Sequence, residues 1–442
     1  MTEIAFKLNF HNLKNNENQI KIFKYGIHII YGESGIGKSY FCRKLAGNKP
    51  INSKCNFEIS GITGFKTIML VNQNPDTQIV APTVERELAF NFENLGFESN
   101  LILKRIDSLN KKFNFPFSMN QHPQTLSGGE REILNFSTAI SVDPECLLID
   151  DGFAFLNSNS KNYCFDILRS WQNETNSIVI WFTSNQEDLK LSNFKWFLNK
   201  NNLSKAHDDN VLNQLPKFKI PKGHLILAID KLNFSFLDNS NIFSNVSRKI
   251  GPFRSLGIIG NNGSGKSTLA SLITKTLIPD SGSIDINLNG KKPDIGIVPQ
   301  SPERIFGAHT PEEIGKMLII EKIADNTLIA RIKDSLERFS VEWDSISNKL
   351  FGNLSLSESR IVLLVLISHC NYNLIIFDEP MFSLGTKLRN IMIEFLAEVL
   401  QIKYLILITH NCDELNSICD KTVIIKNKTL LQTEKRIDQI RS

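Results

Sequence analysis

A chain of 442 residues is long enough for two or three domains, each able to bury a full core. Its 22% charged and 41% hydrophobic residues are an ordinary globular mix, and 50 basic against 46 acidic side chains leave a net charge of +4, too balanced to argue for a nucleic-acid partner. The longest apolar run, Ile361 to Ile367, falls far short of the 18 or more residues of a membrane span and suits a core helix, so any membrane role requires partner chains. The seven cysteines form no C-x-x-C pair; without a recognisable signal peptide they fit reduced thiols in a cytoplasm.

From the N-terminus, Phe6, Leu8 and Phe10 alternate as on a half-buried strand, the start of a small antiparallel sheet. Tyr25 to Tyr31 is an apolar run suited to a buried strand, and it leads into Gly32-Glu33-Ser34-Gly35-Ile36-Gly37-Lys38-Ser39, followed by Tyr40. G-x-x-x-x-G-K-S is the phosphate-binding loop between a strand and a helix. Its glycines let successive N–H groups converge on a polyphosphate, and the following helix adds its positive end. Lys38 supplies a mobile charge for the β- and γ-phosphates, and the Ser39 hydroxyl is a magnesium ligand. From Gln73 to Ser127 the pattern is helical, an inserted subdomain; Leu126 to Ile140 reads as a helix and Cys146 to Ile149 as a buried strand ending in Asp150 and Asp151. The polar stretch 199–223, with Pro216 and Pro221, reads as a linker between a domain over 1–198 and another over 224–442.

The second half repeats the first. Leu232, Phe234 and Phe236 alternate; Ser255 to Ile259 is the apolar run; Gly260-Asn261-Asn262-Gly263-Ser264-Gly265-Lys266-Ser267, then Thr268, is the second loop. Lys38 to Gln73 spans 35 residues and Lys266 to Gln300 spans 34; Gln73 to Ser127 spans 54 and Gln300 to Ser355 spans 55. Ser127 to Asp150 and Ser355 to Asp378 both span 23, and the last intervals, Asp150 to Ser184 and Asp378 to His410, span 34 and 32. One loop match is weak. Five landmarks at matched spacing, offset by 228 residues, mean a duplicated domain. Strands alternating with helices give each copy an α/β core with a mostly parallel sheet.

Asp150 and Asp378 end apolar strands, where a carboxylate reaches magnesium or its water shell beside Ser39 and Ser267. Gln73 and Gln300 offer an amide oxygen to complete that coordination or hold the attacking water. Glu379 is placed to polarise the water as general base, and His410, after the run Tyr404 to Ile408, to bridge the γ-phosphate and its surroundings.

Leu126-Ser127-Gly128-Gly129-Glu130 resembles the signature of ATP-binding-cassette (ABC) ATPases, Asp378-Glu379-Pro380 their Walker B ending, and Thr409-His410 their switch histidine. The resemblance covers nearly the whole chain. It implies two P-loop ABC nucleotide-binding domains, each a RecA-like, mostly parallel sheet core with a small antiparallel β subdomain and an inserted helical subdomain. It implies ATP and Mg2+ as cofactors and head-to-tail pairing within the chain, each ATP lying between one domain's loop and the other's signature. The family's adenine-stacking aromatic falls at Phe236; the matching place in the first half is Asn12. The run Val71 to Glu85, with Gln73-Asn74-Pro75-Asp76-Thr77-Gln78, and Asn91 to Leu95 are similar to energy-coupling-factor importers, which take up cobalt, nickel and vitamins. In that family the helical subdomain grips membrane-embedded subunits, which implies a peripheral location on the cytoplasmic face of the membrane. The second half keeps only Gln300-Ser301-Pro302-Glu303-Arg304 of that run.

The departures sort. Leu356 and Ser357 replace the two glycines of the second signature, Asp151 stands at the general-base place, Ser184 at the switch-histidine place, and Gly152 and Asn157 replace a Pro and an Asp. All serious defects fall to the composite site of Lys38, Asp150, Asp151 and Ser184 with the second signature. The site of Lys266, Asp378, Glu379, His410 and Gln300 with Ser127-Gly128-Gly129 keeps its groups. The expectation is one hydrolytic and one degenerate ATP site, the latter binding ATP or, with Asp151 as a weaker base, turning it over slowly. The expected role is powering micronutrient uptake through membrane partners, with no nucleic acid bound. The competing role is a soluble tandem ABC ATPase in translation or DNA repair; the short linker and near-neutral charge count against it. A tandem sugar-importer ATPase and a non-hydrolysing ATP-binding regulator are weaker alternatives.

Overall fold

The computed structural model describes residues 3–11, 19–48, 55–156, 158–206, 215–236, 240–261, 263–300, 303–409 and 411–433. Asn12, Asn157, Asn262, Ser301, Pro302 and His410 lie outside them. The chain forms two compact units, Met1–Leu212 and Asn213–Ser442.

In the first unit, β1 (Glu3–Phe10), β2 (Gln19–Lys24), β3 (Gly26–Tyr31), α1 (Lys38–Leu45), β4 (Phe57–Thr63) and β5 (Ile68–Val71) precede a helical insertion of α2 (Val84–Asn94) and α3 (Ser99–Phe113). After the insertion come α4 (Gly128–Ile140), β6 (Cys146–Asp150), α5 (Ser158–Thr175), β7 (Ile178–Thr183), β8 (Phe194–Leu198) and β9 (Leu203–Lys205). Strands β2-β1-β4 make the antiparallel sheet, and β5-β6-β7-β3-β8-β9 a six-stranded sheet that is parallel except for β8 with β9. β9 falls inside the stretch expected to be linker.

Period-two geometry explains the continuous apolar strands. Ile27, Ile29, Leu147, Ile149, Val179 and Trp181 face the helical layer, while Ile30, Leu148, Ile178, Ile180 and Phe182 face α1 and the antiparallel sheet. Both faces are covered, so both must be apolar. The insertion shares the helical core through Leu88, Phe92, Ile102, Ile106 and Leu109.

The second unit repeats this with β10 (Leu225–Ser235), β11 (Asn241–Phe253), β12 (Ser255–Gly260), α6 (Lys266–Ile273), β13 (Ser281–Leu288) and β14 (Ile295–Val298). Its insertion holds α7 (Glu303–Phe306), α8 (Pro311–Ile320), α9 (Leu328–Glu337) and α10 (Trp343–Ile346). Then come α11 (Leu356–Ser368), β15 (Leu374–Asp378), α12 (Thr386–Ile402), β16 (Tyr404–Ile408), α13 (Cys412–Ile418), β17 (Lys421–Lys426) and β18 (Thr429–Thr433). The sheets are β11-β10-β13 and β14-β15-β16-β12-β17-β18. The apolar run Ile361 to Ile367 lies in α11, buried throughout. Pro216 and Phe218 belong to this unit: the Pro216 carbonyl accepts from the Ser417 hydroxyl, and the Phe218 N–H donates to the Ser417 carbonyl at 3.3 Å. Among the described residues no helix is long and apolar enough to cross a membrane.

Candidate nucleotide sites

Each phosphate loop leaves the C-terminal end of an inner strand, β3 or β12, and turns into α1 or α6. Gly37 (φ 105°) and Gly265 (φ 99°) stand just before the helices, in backbone that L side chains avoid. A Cβ on Gly265 would also lie 2.4 Å from the Ile242 side chain. Lys38 Nζ donates to the carbonyls of Gly32 (2.9 Å) and Glu33 (3.2 Å), and Lys266 Nζ to those of Gly260 (2.8 Å) and Asn261 (3.1 Å). Both ammonium groups are therefore gathered over their own loop. Burial lowers the Lys266 pKa, while the charges of Glu379 and Asp378 oppose that shift. Of the neighbouring residues, Thr268 is buried, and the Tyr40 ring packs edge-on against Phe57 at 5.7 Å.

The strand-end acids meet the loops as the spacing predicts. Ser267 Oγ donates to Asp378 Oδ2 at 2.5 Å, and the Ser39 hydroxyl hydrogen-bonds Asp150. Burial is the main cause that pushes each carboxyl up, to about 6. Their next neighbours share an unusual backbone: Asp151 (φ 48°) and Glu379 (φ 52°) are left-handed, and their N–H groups donate to the carbonyls of Phe182 and Ile408, both at 2.8 Å. The Asp151 side chain is engaged on both oxygens. Asp151 Oδ1 accepts from Ser184 N (2.6 Å) and Ser184 Oγ (3.0 Å), and its Oδ2 lies 3.6 Å from Lys38 Nζ. Nothing in the local pattern around Asp151 announces this pairing; only the register of β6 beside β7 brings the two loops together.

Gln73 and Gln300 each follow the end of their strand, β5 or β14, by two residues. The Gln73 loop is closed by Gln78, which accepts from Asn72 N (2.7 Å) and donates to the Leu70 carbonyl (2.6 Å); Asn74 Oδ1 accepts from Asp76 N at 3.0 Å. That gives the Q-N-P-D-x-Q run a local reason. Arg131 and Asn135 of α4 hold the same loop, through Asp76 (3.0 Å) and the Pro75 carbonyl (2.9 Å).

Ser127 caps α4 in a capping box with Glu130, and Ser355 caps α11 in the same way with Glu358. The altered second signature thus keeps its helix start and differs in the two residues after the serine, Leu356 and Ser357. Phe236 sits just past β10, 44% exposed, its ring edge-on to Phe234 at 5.1 Å. Among the described residues no three His, Cys, Asp or Glu side chains converge as a protein-only metal cage.

Two phosphate loops on parallel sheets, each beside a strand-end aspartate, define a tandem P-loop nucleotide-binding protein. A family model described as ABC transporter matches residues 16–154 and 243–382, and the chain belongs to that family; it is an ATPase. An ABC transporter ATP-binding protein of Streptococcus agalactiae serotype V is 23% identical over 93% of this chain and 86% of its own length. An energy-coupling factor transporter ATP-binding protein of Pediococcus pentosaceus is 26% identical over 45% of this chain and 76% of its own. Among solved structures, the RNase-L Inhibitor covers 94% of this chain and 88% of its own with a TM-score of 0.61 at 15% identity. A ribosome-bound archaeal assembly of Pelota and ABCE1 reaches a TM-score of 0.66 at 14% identity over 97% of this chain and 83% of its own. These two likenesses speak to the fold.

Proposed function

We propose that this chain is the ATP-hydrolysing subunit of an importer for a small micronutrient, a vitamin or a transition-metal ion, and that one of its two composite sites does the hydrolysis. The observation that carries the asymmetry is the engagement of Asp151, the acid after the first Walker strand. Asp151 spends one oxygen on Ser184 and faces Lys38 with the other. Glu379, one methylene longer, is the better base by reach. In this reading Lys266 holds the β- and γ-phosphates, Ser127, Gly128 and Gly129 approach the γ-phosphate from the other half, Gln300 orients the water and Glu379 takes its proton. His410 steadies the γ-phosphate. Gly32, Ser34, Gly35, Gly37, Lys38 and Ser39 hold a second ATP that is cleaved slowly or not at all.

The residues fit magnesium bound with the nucleotide. Asp150 Oδ1 is buried with no hydrogen-bond partner, and the pairs Ser39–Asp150 and Ser267–Asp378 each offer a hydroxyl and a carboxylate. These side chains, with Gln73 or Gln300, would hold the ion, the phosphates and water completing its shell. Magnesium supplies charge neutralisation across the β- and γ-phosphates.

Membrane partners are supported by the matches to energy-coupling factor proteins and by exposed apolar side chains on the first helical insertion: Val80, Phe90, Leu95, Leu101 and Leu103. Exposed apolar side chains on a subdomain that already has a core fit a docking surface. The protein would then sit on the cytoplasmic face of the membrane through those partners. The test is affinity purification from detergent-solubilised membranes with mass spectrometry of the captured proteins. Small hydrophobic membrane proteins are expected; ribosomes or DNA would replace this reading with the soluble tandem ATPase.

A further inference from the structure

α11 starts at the altered signature and carries Arg360 in its second turn, a residue only 3% exposed. Its Nη1 donates to the Glu379 carbonyl at 2.5 Å, its Nη2 to the Gln300 carbonyl, and its plane lies 4.9 Å above the Phe382 ring. Three residues earlier on the same face, Ser357 Oγ donates to the Ser383 carbonyl at 3.1 Å. One planar cation with donors in a fixed fork therefore ties together the segments that carry the water-orienting glutamine and the base.

The Glu379 backbone needs such a tie. At φ 52° it occupies a sparsely populated region that persists only where the surroundings hold it. Its N–H is held by the Ile408 carbonyl, and Arg360 holds its C=O. In the first half a different side chain stands at this place. Glu132 stands at the place of Arg360, five residues after the signature serine, and accepts from Phe155 N at 2.9 Å. There α4 reaches the glutamine loop through Arg131, which pairs with Asp76, and Asn135, which donates to the Pro75 carbonyl.

We infer that Arg360 is a positioning residue for ATP hydrolysis: by clamping the Glu379 and Gln300 carbonyls it sets where their side chains meet the attacking water. This rests on reading Glu379 as the base.

The test measures steady-state ATP turnover, binding of a fluorescent ATP analogue and thermal unfolding for the full chain and three variants. Arg360→Met keeps the packing on Phe382 and loses every donor; Arg360→Lys keeps the charge and a donor; Glu379→Gln controls for the underlying reading. Arg360→Met is expected to lower kcat roughly tenfold to a hundredfold, with KM and analogue affinity changed by less than about threefold, and Arg360→Lys to recover part of the loss. Arg360→Met turnover within about threefold of the parent overturns the inference, as does an equal loss in both variants together with lost ATP affinity, the pattern of general packing damage. Turnover that survives Glu379→Gln removes the base reading and this inference with it. Turnover abolished by Glu379→Gln but intact in Arg360→Met removes the inference alone.

Discussion

Asp151 and Ser184 are joined twice: one carboxylate oxygen accepts both the backbone N–H and the hydroxyl of the serine, at 2.6 and 3.0 Å. A carboxylate oxygen that accepts two bonds from one serine has its direction fixed on that serine. With Lys38 3.6 Å from its other oxygen, Asp151 braces its own loop.

The first expectation follows from that engagement of Asp151. Glu379→Gln abolishes ATP turnover, and Asp151→Asn changes it by less than about threefold, measured as phosphate release under saturating ATP. Comparable losses from both would refute the division of labour.

Lys38 tests whether the first loop still holds a nucleotide. In a Glu379→Gln background, which traps ATP, the parent is expected to retain two nucleotides per chain, and adding Lys38→Ala to leave about one, since a phosphate loop without its lysine loses its mobile charge. Filter binding with radiolabelled ATP gives the count. Two retained nucleotides would place the binding energy elsewhere.

Phe236 is 44% exposed and already packed against Phe234, so it is a ready platform for a base. Base–aromatic stacking is worth about 1–3 kcal/mol. Phe236→Ala should therefore weaken ATP at the second loop about tenfold while leaving the melting temperature nearly unchanged; titration of the Lys38→Ala variant isolates that loop. An unchanged affinity would move the adenine elsewhere.

Glu132 gives a prediction about pH. Burial pushes its carboxyl up to about 8, more than the N–H of Phe155 and the charge of Lys161 bring it down. An acid whose folded pKa is raised keeps its proton in the native state, so the stability it contributes is complete below about pH 4.5 and is lost as pH rises toward 8. The melting temperature should fall between about pH 4.5 and 8, and Glu132→Gln, which has the same shape and never ionises, should flatten that slope. Parallel curves for parent and variant would show that Glu132 does not govern it.

The sequence by itself determined the duplicated α/β plan, because that plan is written in local terms. A strand covered on both faces must be apolar throughout, as Cys146 to Ile149 and Leu374 to Phe377 are. A phosphate loop needs glycines and a lysine at set offsets, and a capped helix needs Ser127 three residues before Glu130. Distances along the chain therefore located the loops, the strand-end acids and the helix starts. The pairing of Leu203–Lys205 with β8, inside the stretch expected to be linker, was not legible in that way, since an open sheet edge offers unpaired backbone groups to a passing segment.

What only the tertiary structure decided is the set of groups each acid touches. Asp151 finds Ser184 because β6 and β7 run side by side and in register, Asp150 opposite Phe182, so that their following loops meet at one end of the sheet. Arg360 reaches carbonyls 19 and 60 residues away for the same reason: β14 and β15 are neighbours, and α11 packs beside them. Motif spacing names the residues at the ends of strands. The lateral order of those strands, chosen by the packing of two apolar faces, decides which of them become partners.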